Sequence, residues 1–112
     1  MIKSVEPFHA LALQVTCRAV NGLTSRKEVS QRMAETIASL AGQIRGSKGF
    51  ISSFSGLKTR LVVLPEYFLT GFPMAESIKV WSEKACIEMN GPEYSALGKI
   101  CQDNDIFLSG NA

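Results

Sequence analysis

Three stretches of this chain are apolar at almost every position, and apolar residues recur at intervals of three and four in the stretches between. Unbroken runs suit strands covered on both faces, as parallel strands are; the wider spacing is that of helices with one buried side. Phe8–Val15 is the first run. Small Ala10 and Ala12 on one face leave room for a helix, while Leu11, Leu13 and Val15 fill the other. Leu61-Val62-Val63-Leu64 is the second, ended by Pro65, which has no N–H for a ladder and holds Leu64 extended. Ile106-Phe107-Leu108-Ser109-Gly110 is the third.

Between the first two runs, Asn21-Gly22 marks a turn, and Ser25 with Glu28 has capping-box spacing. Val29, Met33, Ile37, Leu40, Ala41 and Ile44 then form one helical stripe, opposed by a solvated face of Arg26, Lys27, Gln31, Arg32 and Glu35. Gly46 is the expected stop. Residues 46–60 become a loose Gly- and Ser-rich connector, with Phe50, Ile51 and Phe54 pinned to something apolar such as a neighbouring subunit. After the second run, Met74, Ile78, Trp81, Ala85 and Met89 fall at helical spacing. Asn90-Gly91-Pro92 breaks the chain, and Pro92 opens a further helix with Leu97, Ile100 and Cys101 inward. The order βαβ(α)αβ predicts an α/β fold with a parallel sheet, its strands near residues 8–15, 61–65 and 106–110.

The second run delivers a carboxylate, Glu66, off the end of a buried strand, with Tyr67 and Phe68 directly after it. Open α/β sheets keep their chemistry in the crevice beyond the carboxyl ends of their strands. Rings that hold water away from a carboxylate there would let it exchange protons near neutral pH. A solvated glutamate in a strand-to-loop turn is the plainer alternative on these residues alone, because such carboxylates outnumber catalytic ones.

The stretch Val62-Val63-Leu64-Pro65-Glu66-Tyr67-Phe68-Leu69-Thr70-Gly71-Phe72 resembles the first catalytic motif of the carbon–nitrogen hydrolase (nitrilase/amidase) superfamily. That motif is an apolar strand, Pro-Glu, an aromatic pair, then Gly-aromatic. The likeness covers most of the chain, from a first strand ending near Gln14 to a strand closing at Ser109-Gly110. It implies the N-terminal part of an αββα sandwich and a hydrolase of non-peptide carbon–nitrogen bonds, amide or nitrile. In that family a Glu is general base and acid, a Lys stabilises the tetrahedral intermediate, and a Cys attacks the substrate carbon. Only the Glu carries over, onto Glu66; Tyr67, Phe68 and Phe72 take motif positions that line or support the substrate pocket. The resemblance implies no cofactor, and a homo-oligomer.

Two departures stand beside it. Thr59-Arg60, after a Gly/Ser-rich stretch, replaces the family's usual Ala-Asp-type lead. The family's Lys and Cys fall beyond Ala112, so residues 1–112 read as a single incomplete domain, the N-terminal portion of a longer hydrolase and inactive alone. Cys17 and Cys101 read as small core residues, Cys86 as mid-helix, and Lys84 and Lys99 as helix-surface charges. None of the cysteines follows a buried strand on a sharp turn, as an activated nucleophile should.

Composition narrows the classes further. A length of 112 residues suits one domain. A net charge of +2 with interspersed signs points away from nucleic acid and anionic membranes, and the apolar stretches are too short to span a bilayer. The N-terminus lacks a signal-peptide pattern, and three cysteines without Cys-x-x-Cys spacing suggest reduced thiols in the cytoplasm. A single His and no clustered ligands predict no metal site. Without a Gly-rich strand-to-helix turn, nucleotide binding is disfavoured. The remaining alternative is a non-catalytic α/β interaction module, or an inactive fragment, in which Glu66 is only a structural acceptor.

Overall fold

β2 (Thr59–Val63) is the middle strand of a three-stranded parallel sheet, flanked by β1 (His9–Ala12) and β3 (Phe107–Ser109). The computed structural model describes residues 3–111. Leu11, Val62 and Leu108 lie abreast across the sheet, and Ala12, Val63 and Ser109 form the next row. All three apolar runs are strands. Their bounds differ from the expected ones. β1 ends at Ala12, although Leu13 N–H still donates to the Val63 carbonyl at 2.9 Å. β2 starts earlier, at Thr59, and ends at Val63, and β3 covers only Phe107–Ser109.

Ser25 caps α1 (Arg26–Ser55) as its spacing predicts. Its hydroxyl accepts from Glu28 N–H at 3.2 Å and donates to Glu28 Oε1 at 3.1 Å. Val29, Met33, Ile37, Leu40 and Ile44 are buried along one side. The helix does not stop at Gly46. It runs 30 residues to Ser55 and ends at Gly56, whose φ of 71° lets its N–H reach the Ser52 carbonyl. Gly46 and Gly49 face open space, so each costs only about 1 kcal/mol relative to Ala. Ile51 continues the inward side, and the Lys48 ammonium donates to the Asn104 carbonyl. The expected long connector shrinks to residues 56–58, an ordinary αβ loop. Phe50 and Phe54 are therefore helical, exposed, and stacked on each other with ring centroids 5.6 Å apart.

α2 (Ile78–Ala85) begins at a Ser77 cap, not at Met74. Met74, Ile78 and Met89, predicted to face inward, are exposed; the inward side is Trp81, Lys84 and Ala85. α3 (Pro92–Asn104) starts at Pro92 as predicted, and Asp105 ends it in the left-handed conformation. α1 packs on β2 and on both other helices, and the core fills the space between them and the sheet. The other sheet face has no cover among the described residues: Ala10, Ala12, Val63 and Phe107 are open to solvent. The helix expected over Ala10 and Ala12 lies on the opposite side, where Leu11 and Leu13 offer it more apolar surface.

Candidate active site at the carboxyl end of the central strand

Past Val63 the chain makes one more ladder bond, Leu64 N–H to the Ser109 carbonyl at 2.8 Å, before Pro65 ends the pairing. Glu66 then opens a turn over residues 66–70. Tyr67 has a φ of 53°, a left-handed conformation that costs a bulky side chain about 1–2 kcal/mol. Its carbonyl is held from two directions: Gly71 N–H donates at 3.0 Å and the Cys17 thiol at 3.5 Å. Gly71 closes the turn with a φ of 77°, and a Cβ on it would sit 2.8 Å from Ala19 Cβ.

The three aromatic side chains part company. The Tyr67 ring meets Phe72 edge-on with centroids 5.1 Å apart, on the outer surface of the turn. Phe68 is buried and packs over Leu64 and Gly110, where a Cβ on the glycine would come within 2.8 Å of its ring. It lines a cavity of about 290 Å³ with Tyr94, Leu97 and Cys101. Glu66 itself is exposed and lines none of the cavities described, so the water-excluding recess expected around it is not formed by these residues. The plainer alternative, a solvated carboxylate in a strand-to-loop turn, describes its surroundings here. The reason is geometric: consecutive residues of the turn point to different sides, and Phe68 takes the core side. The sequence thus brings Glu66, Tyr67 and Phe72 to one outer turn and leaves Phe68 as its foundation.

A second segment, residues 17–23, runs along this turn and braces it. Val20 N–H donates to the Thr70 carbonyl at 2.9 Å, and Asn21 Nδ2 donates to the Phe72 carbonyl at 2.8 Å. Cys17, expected in the core, is exposed on this segment; Cys86, expected mid-helix, follows the last residue of α2 and is also exposed. Cys101 is partly buried as predicted, and burial pushes its thiol above the ordinary value, against weaker backbone hydrogen bonds that lower it.

The residues missed in the sequence lie behind the brace. Lys84 is buried, not a surface charge: its ammonium donates to the Asn21 and Leu23 carbonyls at 3.0 and 2.9 Å. It stands 3.6 Å from Glu76 Oε1 and 5.5 Å from the centre of the Trp81 ring. Glu76 is held below the usual carboxylate value of 4.5, chiefly by a backbone hydrogen bond and next by the Lys84 charge, against desolvation. Arg26, assigned to a solvated face, donates to the Lys84 and Cys86 carbonyls at 3.1 and 2.5 Å and pairs with buried Glu93 at 3.6 Å. The one available signal was that Lys84 falls between Trp81 and Ala85 on their stripe.

A cleft of about 790 Å³ lies at the opposite end of the sheet among Val5, Phe8, Leu57, Leu61 and Phe107. It is lined mainly by apolar residues, and Glu66 is not among them. Among the described residues no group of His, Cys, Asp and Glu could hold a metal ion, and no helix is long and apolar enough to cross a membrane. Comparison with protein-family models, with curated proteins and with solved structures found no match.

Proposed function

We propose that Glu66 is the general base and acid of a cysteine-dependent carbon–nitrogen hydrolase acting on a small non-peptide amide or nitrile. The sheet would be one half of an αββα sandwich, its bare face meeting a second sheet. The observation that carries this reading is the backbone at Tyr67: a bulky residue held left-handed directly after Glu66, at the end of the central parallel strand. Strain of that kind persists where surrounding contacts over-determine it, and it clusters at functional turns. Here Cys17, Gly71 and the 17–23 segment supply those contacts.

On an amide the chemistry runs in two halves. Glu66 takes the proton of the attacking thiol as the S–C bond forms, then passes it to the leaving nitrogen as the C–N bond breaks. It next takes a proton from water as the water oxygen adds to the thioester. It returns that proton to the sulfur as the C–S bond breaks, releasing the acid and restoring the thiol and the carboxylate. The oxyanion of each tetrahedral intermediate needs a fixed cation, the role the resemblance gives to a lysine. That lysine and the nucleophile are assigned outside these residues. The unbridged thiols of Cys17, Cys86 and Cys101 accord with a reducing cytoplasm.

The test is Glu66→Gln in the hydrolase that contains the nucleophile. The variant should fold as the parent does, with kcat lowered by about 10²–10⁴-fold. An unchanged kcat removes the reading. The 112-residue chain alone is expected to turn over neither substrate. Turnover by it that Glu66→Gln and Cys17→Ser both abolish would instead place the nucleophile at Cys17, whose thiol already touches the turn.

One set of observations favours a second reading, an interaction module. Val63, Phe107 and the Phe50–Phe54 stack are all exposed apolar surface. Self-association seen by light scattering, together with a Glu66→Ala variant that changes nothing measurable, would favour it.

A further inference from the structure

A buried ammonium is costly unless its protons find acceptors, and Lys84 spends two of its protons on backbone carbonyls of one short segment. Those carbonyls belong to Asn21 and Leu23, and the segment they anchor is the one that braces the Glu66 turn. From Lys84 the connection is continuous: to Asn21 through its carbonyl, from Asn21 Nδ2 to the Phe72 carbonyl, and from Val20 N–H to the Thr70 carbonyl. Ala19 fills the space beside Gly71 that only a glycine leaves free, and the Cys17 thiol reaches Tyr67. The other groups around the ammonium fix it in turn. Glu76 faces it from the chain before α2, the Trp81 ring lies beneath it, and Arg26 holds its own backbone carbonyl.

We propose that Lys84 is the positioning residue of the Glu66 turn, clamping residues 17–23 so that they hold Tyr67 and Gly71 in their left-handed conformations. The value of that turn for catalysis rests on the hydrolase reading above; the clamp itself does not. Lys84 touches neither Glu66 nor any reacting group, so it acts only through the segment it grips. A methionine of similar length would keep the packing beside Trp81 but leave both carbonyls and Glu76 without their cation.

The decisive measurement is amide hydrogen exchange on the whole chain, read residue by residue. In Lys84→Met the Val20 amide, which ties the brace to the turn, and the Gly71 amide, which closes the turn onto the Tyr67 carbonyl, should exchange at least about tenfold faster. The Ile44 and Ile100 amides, deep in α1 and α3, should stay within about twofold of the parent. Glu76→Gln keeps the lysine and removes its counter-charge, so it should accelerate the same two amides by a smaller factor, about threefold. It decides the matter if Lys84→Met does not fold. Uniform acceleration at all four amides, or no response at Val20 and Gly71, overturns the clamp. Because this readout needs no substrate, its failure is separable from that of the hydrolase reading. Local acceleration alongside a Glu66→Gln variant of normal turnover would support the clamp while removing the enzyme.

Discussion

Val62 and Val63 are neighbours of identical chemistry on the central strand, and they meet opposite fates. Val62 is fully buried under the helices, whereas Val63 is 41% exposed on the other face of the sheet. The same split runs through the whole molecule. On the covered side lie Leu64, Phe68, the α1 stripe and the Lys84 cluster; on the bare side lie Ala10, Ala12, Val63 and Phe107. Parallel sheets are as a rule covered twice, and β2 is apolar on both faces, Leu61 and Val63 on one and Val62 on the other. The covered side explains why the chain folds. The bare side is apolar without a local reason, and so it carries the information about what the chain does with its surroundings.

The largest effects should come from the two valines themselves. Val62→Asp places an unpaired carboxylate in the core, a penalty of several kcal/mol against a total stability of about 5–15. Loss of the folded state by circular dichroism is the expected outcome. Val63→Asp on the 112-residue chain should cost less than about 1 kcal/mol by denaturant titration, because that carboxylate stays hydrated. On the proposed hydrolase reading, in which a second sheet covers this face, the same substitution should be as damaging as Val62→Asp. Equal tolerance in both settings would leave the outer face a free surface and the sandwich without support.

What was legible in the sequence follows the same divide. The strands, the α1 cap and the Pro92 start are set by local chemistry, namely apolar runs, a Ser25/Glu28 pair and a ring without an N–H, and they could be read directly. The end of α1 could not. Gly46 has the residue type of a stop, but nothing crowds it and the stripe continues past it to Ile51, so tertiary contact overrode propensity. Glu66 was legible as a strand-end carboxylate because Pro65 fixes where the strand must finish. The fates of Tyr67 and Phe68 were not, since they depend on a φ sign at one residue that sequence does not disclose. Lys84 was misjudged because a lysine is normally solvated, and its partners are backbone carbonyls about 60 residues away, which no side-chain pattern reveals.

Two glycines sharpen the comparison at the next level. Gly71, on the crowded side, has a φ of 77° and Ala19 Cβ 2.8 Å from where its own Cβ would be. Gly71→Ala should therefore destabilise by about 2–4 kcal/mol, from backbone strain and overpacking together. Gly46 lies in helical conformation with nothing within 4 Å, so Gly46→Ala should stabilise by about 0.5–1 kcal/mol. Thermal melts of both variants check the pair. A neutral Gly71→Ala would mean that residues 17–23 give way easily and do not define the turn.

The thiols should divide by burial as well, though by a smaller margin. Cys17 and Cys86 are exposed, while Cys101 is partly buried with its thiol pushed above the ordinary value. Iodoacetamide at pH 8 should alkylate the first two at least about tenfold faster than the third, because both are open to the reagent while burial shields the Cys101 thiol and pushes it up. Mass spectrometry of a time course reads this directly.

The smallest effect concerns acid, and it probes the covered side from within. Glu76 is held below its usual value of 4.5, chiefly by a backbone hydrogen bond and then by Lys84. In the window between its folded value and 4.5, the unfolded chain binds a proton at this site that the folded chain does not. Stability from this carboxylate is therefore present above about pH 4.5 and is lost as the pH falls through the folded value. The melting temperature of the parent should drop more steeply between about pH 5 and 3 than that of Glu76→Gln, in which this proton site is gone. Parallel curves would show that Glu76 contributes no acid-labile stability, and the grip on residues 21–23 would then rest on Lys84 and its two carbonyls alone.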